Sequence, residues 1–417
     1  MKKRKNRPVA VTAFLMAALF LCLTGCAKAN SAAPDKTAFV VDITSLTVDE
    51  SVRIVGLGEA SHGTSEFQQL KGDVFKALVT NNHCRVFAIE GDFGGCALVN
   101  EYIHGGGGTA EEAAAKIGFR IYRTQEIVAL VEWMRAYNET APDGEDLKFY
   151  GFDSQRYDNN KALLFEYLEK TIPSLAQEYS SKFSALTDEN MYSIGNSILA
   201  QAKEDVTTLM DEMNIQKPPG MNAAEQFQFD MAREYAQTIL ENTRLQGENS
   251  GYNKVRDSIM ARKVEWIAEQ EDGLIFINGH NGHIGRQSVS GYTCMGELLN
   301  EAYGEAYFPI GTDALNTVFN AYNNGEYKQF TVSNSNAFTD RLDGLDGNLY
   351  YLDFSGVEQD EDWLDVLKTP QTMAALNAEF SNWQKVIKMF YTLEVTPLEA
   401  YAGIIVLADT NATHLLD

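Results

Sequence analysis

The sequence predicts an α/β fold in which helices cover both faces of a mainly parallel sheet. Two observations lead to this class. Short apolar runs alternate with helical patterns over residues 38–159, and similar runs return over residues 251–417. Between them, residues 160–250 mix acidic and apolar side chains at helical period and lack β-branched runs. That middle stretch predicts a helical insertion between the two halves of the sheet-containing core.

In the first half, apolar runs predict three buried strands, at residues 53–57, 85–89 and 147–152. After the first run, apolar residues recur at helical spacing from Phe67 to Leu78, which predicts a helix. A second helix is predicted over residues 127–137, before the third strand. This order is typical of a parallel sheet, because neighbouring parallel strands need a long crossover connection.

The second half begins near Tyr252, beyond the Pro218-Pro219-Gly220 sequence that interrupts the helical insertion. Clear strands are predicted at residues 273–277 and 403–407. Shorter apolar runs, interpreted as strands of a smaller mixed sheet, occur at residues 307–310, 329–332 and 349–354.

The N-terminus resembles the signal peptide of a bacterial lipoprotein. Basic residues precede an apolar run over residues 9–23, and the run closes with the letters LTGC at residues 23–26. The run is too short to span a bilayer. We therefore expect residues 1–25 to be removed, Cys26 to carry lipid, and residues 26–37 to form a tether. The body would lie in the cell envelope, at the outer face of the membrane, held by the lipid anchor alone. The alternative is an ordinary secretory signal followed by a chance cysteine.

Composition excludes several classes of protein. The formal net charge of −24 on 417 residues repels phosphate backbones and argues against nucleic-acid binding. A hydrophobic content of 45% argues against general disorder. Beyond the predicted signal and Cys26, three cysteines remain, and an odd number argues against a disulfide framework.

Polar side chains follow four of the predicted strands directly. The four groups, in chain order, are Glu59 with His62, then Glu90, then Asp153, then His280 with His283. Ligands of parallel α/β sheets bind outside the carboxyl ends of the strands, where the loops converge. If the four strands are neighbours, these side chains meet in one cleft.

The residue types in this cleft suit hydrolysis by activated water. His62 can take a proton from water if a carboxylate such as Glu59 or Glu90 orients its other ring nitrogen. Donors for the developing oxyanion are expected from His280, His283 or a backbone amide of the helix that begins near Thr64. The substrate would be an ester or a lactone, and no cofactor is expected.

Other chemistries fit the same sequence less well. A dinucleotide site after the first strand is excluded, because Ser61 replaces the third glycine and Glu59 would face the pyrophosphate. There is no G-x-S-x-G motif for a serine hydrolase. Two alternatives stay open. In the first, the histidines and carboxylates hold zinc or iron; their spacing matches no H-E-x-x-H helix, so no metal ligand is assigned. In the second, the protein is a lipid-anchored binding protein without catalysis.

Several motifs resemble the erythromycin esterase family. Residues 56–67 (GLGEASHGTSEF) are similar to the family's GEATHGT-type signature. The resemblance continues, in the family's order, through the strand that ends on Glu90 and through NEYI at 100–103, WMRAYN at 133–138, FYGFD at 149–153, RDSIMA at 256–261 and GHNGHI at 279–284. It covers the chain from about Val52 to Asp409.

The resemblance implies a Rossmann-like α/β core with a helical inserted domain and a smaller α+β part. It also implies metal-independent hydrolysis of a lactone ester, as in resistance to macrolide antibiotics. The implied roles at the matching positions are His62 as general base, Glu59 and Glu90 as essential carboxylates, His280 and His283 as assisting groups, and Arg256 as the group that positions substrate or a carboxylate. We also expect Asp153, at the end of its predicted strand, to take part with Arg256 in binding the substrate. Where many members carry an arginine after the signature, this chain has Ser65. Some members are instead named as exopolysaccharide-biosynthesis proteins, so membership does not fix the substrate.

Overall fold

The computed structural model of the protein describes residues 40–416 except 249, 290, 343–346 and 358–359. The predicted signal peptide, the tether and Cys26 lie outside the described residues. Residues Phe39–Asp417 form one compact unit. Within the described part of the chain, no helix is long and apolar enough to cross a membrane.

The strands are β1 (Val40–Val41), β2 (Ile54–Glu59), β3 (Val86–Asp92), β4 (Lys148–Asp153), β5 (Ile275–His280), β6 (Tyr307–Asn323), β7 (Glu326–Ser333), β8 (Leu349–Asp353), β9 (Gln371–Ala374), β10 (Thr392–Val395) and β11 (Gly403–Asp409). The helices are α1 (Ser65–Asn82), α2 (Phe93–Ile103), α3 (Ala110–Lys116), α4 (Gln125–Asn138), α5 (Asp158–Thr171), α6 (Pro173–Tyr179), α7 (Asn196–Ile215), α8 (Ala223–Gln246), α9 (Tyr252–Gln270), α10 (Asn281–Ile284), α11 (Met295–Tyr303), α12 (Glu361–Lys368) and α13 (Pro397–Ala400).

The central sheet is mainly parallel, which confirms the predicted fold class. Its strand order is β1-β8-β11-β6-β2-β5-β3-β4, with β7 paired to β6. The strands from β11 to β4 pair in parallel, whereas β1, β7 and β8 pair antiparallel with their neighbours. The carboxyl ends of β2, β5, β3 and β4 therefore lie side by side along one edge.

The interpretation of residues 307–354 as part of a smaller sheet was wrong. β6, β7 and β8 all belong to the central sheet. The first part of β6 pairs with β2 and β11, and its second part pairs with β7. The sequence concealed this because buried Thr312 and Asp313 interrupt the apolar pattern. Both are satisfied internally: the Thr312 hydroxyl accepts the Ala60 N–H, and Asp313 accepts the Ala374 N–H. In the described chain, the sheet that stands apart is the β9–β10 pair.

Helices fill most of the region predicted as an insertion, where α5 to α8 pack together around buried aliphatic and aromatic side chains. The sheet separates two apolar cores by the alternation of side chains along each strand. In β2, Val55 and Leu57 belong to the core that contains α1, whereas Ile54 belongs to the opposite core. In β3, Val86 and Ala88 belong to the core that contains α9. This alternation directs the side chains that follow at the strand ends.

Candidate active site

The structure brings all seven predicted side chains to the carboxyl edge of the sheet. The last residues of β2 and β5, Glu59 and His280, are paired in register. Glu90 and Asp153 come from the neighbouring strands β3 and β4, as predicted. Three further residues approach from outside the strands: His62 from the turn after β2, Arg256 from α9 and His283 from α10. The packing therefore converts four local sequence signals into one site.

Glu59 joins a histidine to a buried lysine. Its Oε1 lies 2.7 Å from Nδ1 of His62, and its Oε2 lies 2.8 Å from Nζ of Lys71. Glu59 shares a strand face with Val55 and Leu57, so it points towards α1, which carries Lys71. Burial raises the pKa of Glu59, but Lys71 and His62 outweigh burial and hold that pKa below its ordinary value. Glu59 is therefore a carboxylate that fixes Nδ1–H of His62, and Nε2 of His62 bonds to none of the described residues.

Arg256 joins the two carboxylates on the other side of the site. Its Nη2 donates to Oε1 of Glu90 and to Oδ2 of Asp153, each at 2.6 Å. Burial opposes ionisation of Glu90, but His283 and Arg256 attract its charge and hold its pKa well below the ordinary value. Asp153 is fully buried. Its hydrogen bond with Nη2 of Arg256 places it to orient that guanidinium, and substrate binding by Asp153 and Arg256 stays a prediction.

His280 contributes a buried ring nitrogen that has no hydrogen-bond partner among the described residues. Its backbone N–H donates to Oε2 of Glu90 at 2.9 Å, and its Nδ1 accepts the N–H of Gly282. The proton of the neutral ring is therefore on Nε2, which is buried and has no hydrogen-bond partner among the described residues. Burial, together with His62 and His283, lowers the pKa of His280 to about 3. The ring stays neutral, and its centroid lies 5.2 Å from that of His62.

His283 is held at both ring nitrogens. Its Nδ1 lies 2.8 Å from Oδ1 of Asp257, and its Nε2 lies 3.1 Å from Nη1 of Arg256 and 3.7 Å from Oε1 of Glu90. Burial lowers the pKa of His283, but Glu90 and Asp257 outweigh burial and raise that pKa above the ordinary value. Its contacts leave His283 less free than His62 to bind a water molecule.

A cavity of about 400 Å³ opens beside His280 and His283. Its wall combines polar groups of the site with side chains from the β9–β10 region; the lining residues used below are Arg256, His280, His283, Met389 and Phe390. The volume lies within the range typical of small-molecule pockets.

The described residues include no group of three or more His, Cys, Asp and Glu side chains arranged to hold a metal ion. The carboxylates that the metal hypothesis would need already face cations. Glu59 faces Lys71, while Glu90 and Asp153 face Arg256. The donor set is therefore better suited to positioning histidines than to binding zinc or iron.

The sequence interpretation missed two residues of the site. Lys71 lies on the apolar face of α1 with Phe67, Leu70 and Val74, and a charge within an apolar stripe was the available signal. Asp257 follows Arg256 directly and also accepts the N–H of Met295 at 2.8 Å, which links α9 to α11. No local pattern marks that second contact.

The start of α1 is covered by the C-terminal segment. The N–H of Ser65 donates to the carbonyl of Asn411, and the Ser65 hydroxyl donates to Oε1 of Glu126 at 2.5 Å. The same Glu126 oxygen lies 2.8 Å from Nδ1 of His414. Ser65, where many family members carry arginine, is therefore buried against α4 and the C-terminal segment. Its amide is not free for the oxyanion role considered from the sequence.

A family model described as erythromycin esterase matches residues 79–410. The chain belongs to the erythromycin esterase family. The matched range includes Glu90, Arg256 and His280 but begins after Glu59 and His62. The prediction that Glu59 and His62 belong to the site rests on the signature at residues 56–67 and on the geometry above.

Two curated proteins are distant relatives of this family member. Erythromycin esterase type II of Escherichia coli is 22% identical over 292 residues, which are 62% of this chain and 68% of that protein. The putative hydrolase YbfO of Bacillus subtilis (strain 168) is 25% identical over 267 residues, 57% of each chain. The alignment with YbfO thus spans little more than half of that protein. Family membership and these names support a hydrolase.

Solved structures share the fold of this family member. A protein of Bacillus cereus superposes with a TM-score of 0.77 at 18% identity and covers 91% of this chain and 96% of its own. A succinoglycan biosynthesis protein superposes with a TM-score of 0.75 at 21% identity, and the match covers 88% of this chain and 90% of that one. A mutant of the erythromycin esterase EreC in its open conformation superposes with a TM-score of 0.62 at 17% identity, and the match covers 88% of this chain and 92% of that one. At these identities the likeness establishes the fold alone.

Proposed function

We propose that this protein hydrolyses a carboxylic ester or lactone with a water molecule that His62 activates. The observation that carries the proposal is the state of the His62 ring. Its Nδ1 is fixed by Glu59 at 2.7 Å, and its Nε2 is left without a partner among the described residues. A base that is oriented on one side and free on the other suits general-base catalysis. Membership of the erythromycin esterase family supports the same reaction class.

The reaction begins with water bound to Nε2 of His62. As the water oxygen forms a bond to the carbonyl carbon, one water proton moves to Nε2 and the carbonyl electron pair moves to the carbonyl oxygen. Glu59 stabilises the imidazolium that forms, since its Oε1 accepts the Nδ1–H. When the carbonyl re-forms, the alkoxide leaves and takes the proton from His62. The products are a carboxylic acid and an alcohol, or one hydroxy acid if the substrate is a lactone.

His280 supplies the donor for the developing negative charge. Its unpaired Nε2–H is buried beside His62, and a neutral donor adds no second positive charge next to the imidazolium. A preorganised donor of this kind contributes about 3–4 kcal/mol to a transition state in known hydrolases. Arg256 and His283 are positioning residues in this scheme because they hold Glu90, whose Oε2 accepts the N–H of His280.

The name of the E. coli relative makes macrolide lactones the first substrates to test. Purified protein would be incubated with a panel of macrolides and simple aryl esters, and mass spectrometry would follow the gain of one water. We expect His62→Ala to lower the turnover of any accepted substrate by about 100-fold or more.

The matched control is His104→Ala, because His104 is exposed and its Nδ1 contacts only the carbonyl of Asn100. Turnover by His62→Ala equal to that of His104→Ala would refute the assignment of the base. Binding of a macrolide without any turnover would favour the alternative of a binding protein.

A further inference from the structure

An exposed apolar segment lies between β9 and β10, and we call it the apolar strap (residues 382–390, NWQKVIKMF). It consists of two short 3-10 turns, Asn382–Val386 and Lys388–Phe390. Its large hydrophobic side chains are exposed to an unusual degree: Trp383 by 60%, Val386 by 83%, Ile387 by 48%, Met389 by 74% and Phe390 by 37%. Clustered exposed apolar residues mark a docking surface, whereas single ones need no explanation.

The strap is held in place by hydrogen bonds at both ends. Nδ2 of Asn323 donates to the carbonyl of Phe380 and to the hydroxyl of Ser381, and the Thr392 hydroxyl donates to the carbonyl of Lys388. On the strap itself, the rings of Trp383 and Phe390 pack edge to face with centroids 4.8 Å apart. The backbone is therefore fixed while the apolar side chains stay exposed, so the apolar surface is built into the fold.

The charge of the strap is opposite to that of the protein. The chain carries a formal charge of −24, yet residues 380–393 contain Lys385 and Lys388 and no acidic residue. Lysines beside tryptophan and aliphatic side chains suit an anionic lipid surface. The apolar groups enter the acyl boundary, and the ammonium groups stay among the head groups. A second copy of the strap is a poorer partner, because its lysines would face these lysines.

The strap also borders the cavity of the candidate active site. Met389 and Phe390 line that cavity together with His280 and His283. A bilayer that receives the strap would therefore lie next to the cavity opening.

We propose that the apolar strap docks on an anionic membrane surface and turns the cavity opening towards the bilayer. The proposal concerns where the protein binds and does not depend on the reaction.

Trp383 provides a direct test. The full-length protein is mixed with phosphatidylcholine vesicles that contain phosphatidylglycerol and brominated acyl chains, and tryptophan fluorescence is recorded. Of the other tryptophans, Trp363 is buried and Trp133 and Trp266 are partly buried. We expect a blue shift and quenching that Trp383→Phe removes. Quenching by acyl bromine distinguishes insertion of the strap from tethering by the anchor.

A matched pair of variants completes the experiment. Val386→Asp places a charge on the strap, and Ile215→Asp places one at the end of α7, where the side chain is 82% exposed. We expect Val386→Asp to abolish the quenching and Ile215→Asp to retain it, with unchanged circular dichroism for both. The proposal is overturned if quenching is absent, survives in Trp383→Phe or is equally reduced by Ile215→Asp. Lipid-free dimerisation that Val386→Asp abolishes would overturn it in favour of a second copy.

Discussion

The ammonium nitrogen of Lys71 lies 2.8 Å from Oε2 of Glu59, and both side chains are buried. The other oxygen of Glu59 holds His62. One carboxylate thus connects a buried lysine in the helix α1 to the proposed base in the turn after β2. The pair fixes the direction of Glu59, and through it the orientation of the imidazole.

We expect Lys71→Met to reduce both stability and turnover. Removing one partner of a buried ion pair leaves an uncompensated charge, which costs about 3–5 kcal/mol. Urea unfolding measures that cost, and Lys76→Met, at a partly exposed position of the same helix, is the control. The double variant Lys71→Met/Glu59→Gln removes both charges and should recover part of the lost stability. If Lys71→Met is as stable as Lys76→Met, the Lys71–Glu59 ion pair does not contribute to stability.

His280→Asn tests the proposed oxyanion donor. The asparagine oxygen can still accept the N–H of Gly282, but the donor at Nε2 is lost. We expect kcat to fall by about 100- to 1000-fold, with a much smaller change in KM, because the interaction forms in the transition state. Steady-state kinetics on an accepted ester measures both. A rise in KM at constant kcat would instead assign His280 to substrate binding.

We expect the free energy of unfolding to decrease as the pH is lowered below neutrality, and His280 should account for part of this decrease. Its pKa of about 3 lies below the ordinary value of 6.5, so between these values the unfolded chain binds a proton that the folded protein does not. Stability is therefore lost as pH falls through that interval. Glu59 and Glu90, whose pKa values are also lowered, add to the loss below about pH 4.5.

The test compares urea unfolding of the parent, His280→Asn and the exposed variant His104→Asn across this interval. We expect His280→Asn to have a flatter dependence of stability on pH between 6.5 and 4.5 than the other two. Three parallel curves would contradict a depressed His280 pKa. His283 works in the opposite direction, because its raised pKa contributes stability that is lost as pH rises through the folded value.

Ser65→Arg is expected to destabilise the protein. Ser65 is buried, and its hydroxyl contacts Glu126 beneath the C-terminal segment. Inserting a long side chain into a packed site costs about 1–3 kcal/mol. Thermal unfolding compares this variant with Ser65→Ala, which only removes the hydrogen bond and costs about 1 kcal/mol. If Ser65→Arg is more stable than Ser65→Ala, the segment around Glu126 accommodates the arginine that many family members carry.

Turnover is expected to survive treatment with a metal chelator. The reason is that Glu59 and Glu90 are already paired with Lys71 and Arg256. Activity is measured before and after dialysis against the chelator, and elemental analysis follows the metal content of untagged protein. Loss of activity that added zinc or iron restores would favour the metal-dependent alternative.

The sequence predicted the existence of most core strands but not the extent of β6. Runs such as residues 275–277 carry a local apolar signal, and this signal needs no tertiary information. In β6, the polar residues Thr312 and Asp313 break the apolar pattern. They can be buried because Ala60 and Ala374, which are distant in sequence, supply their hydrogen-bond partners. A strand whose buried polar groups are satisfied from elsewhere cannot be recognised from its own residues.

The sequence by itself indicated most of the side chains that meet at the site, although not Lys71 and Asp257. Glu59, Glu90, Asp153 and His280 each stand at the end of an apolar run, and parallel strands end along one edge. Only the tertiary structure decided what these groups do. Arg256 lies 103 residues from Asp153 and 166 from Glu90, yet it pairs with both. The protonation of His280 and the free nitrogen of His62 depend on burial and on such distant partners. Since both arise from packing, no local spacing encodes them.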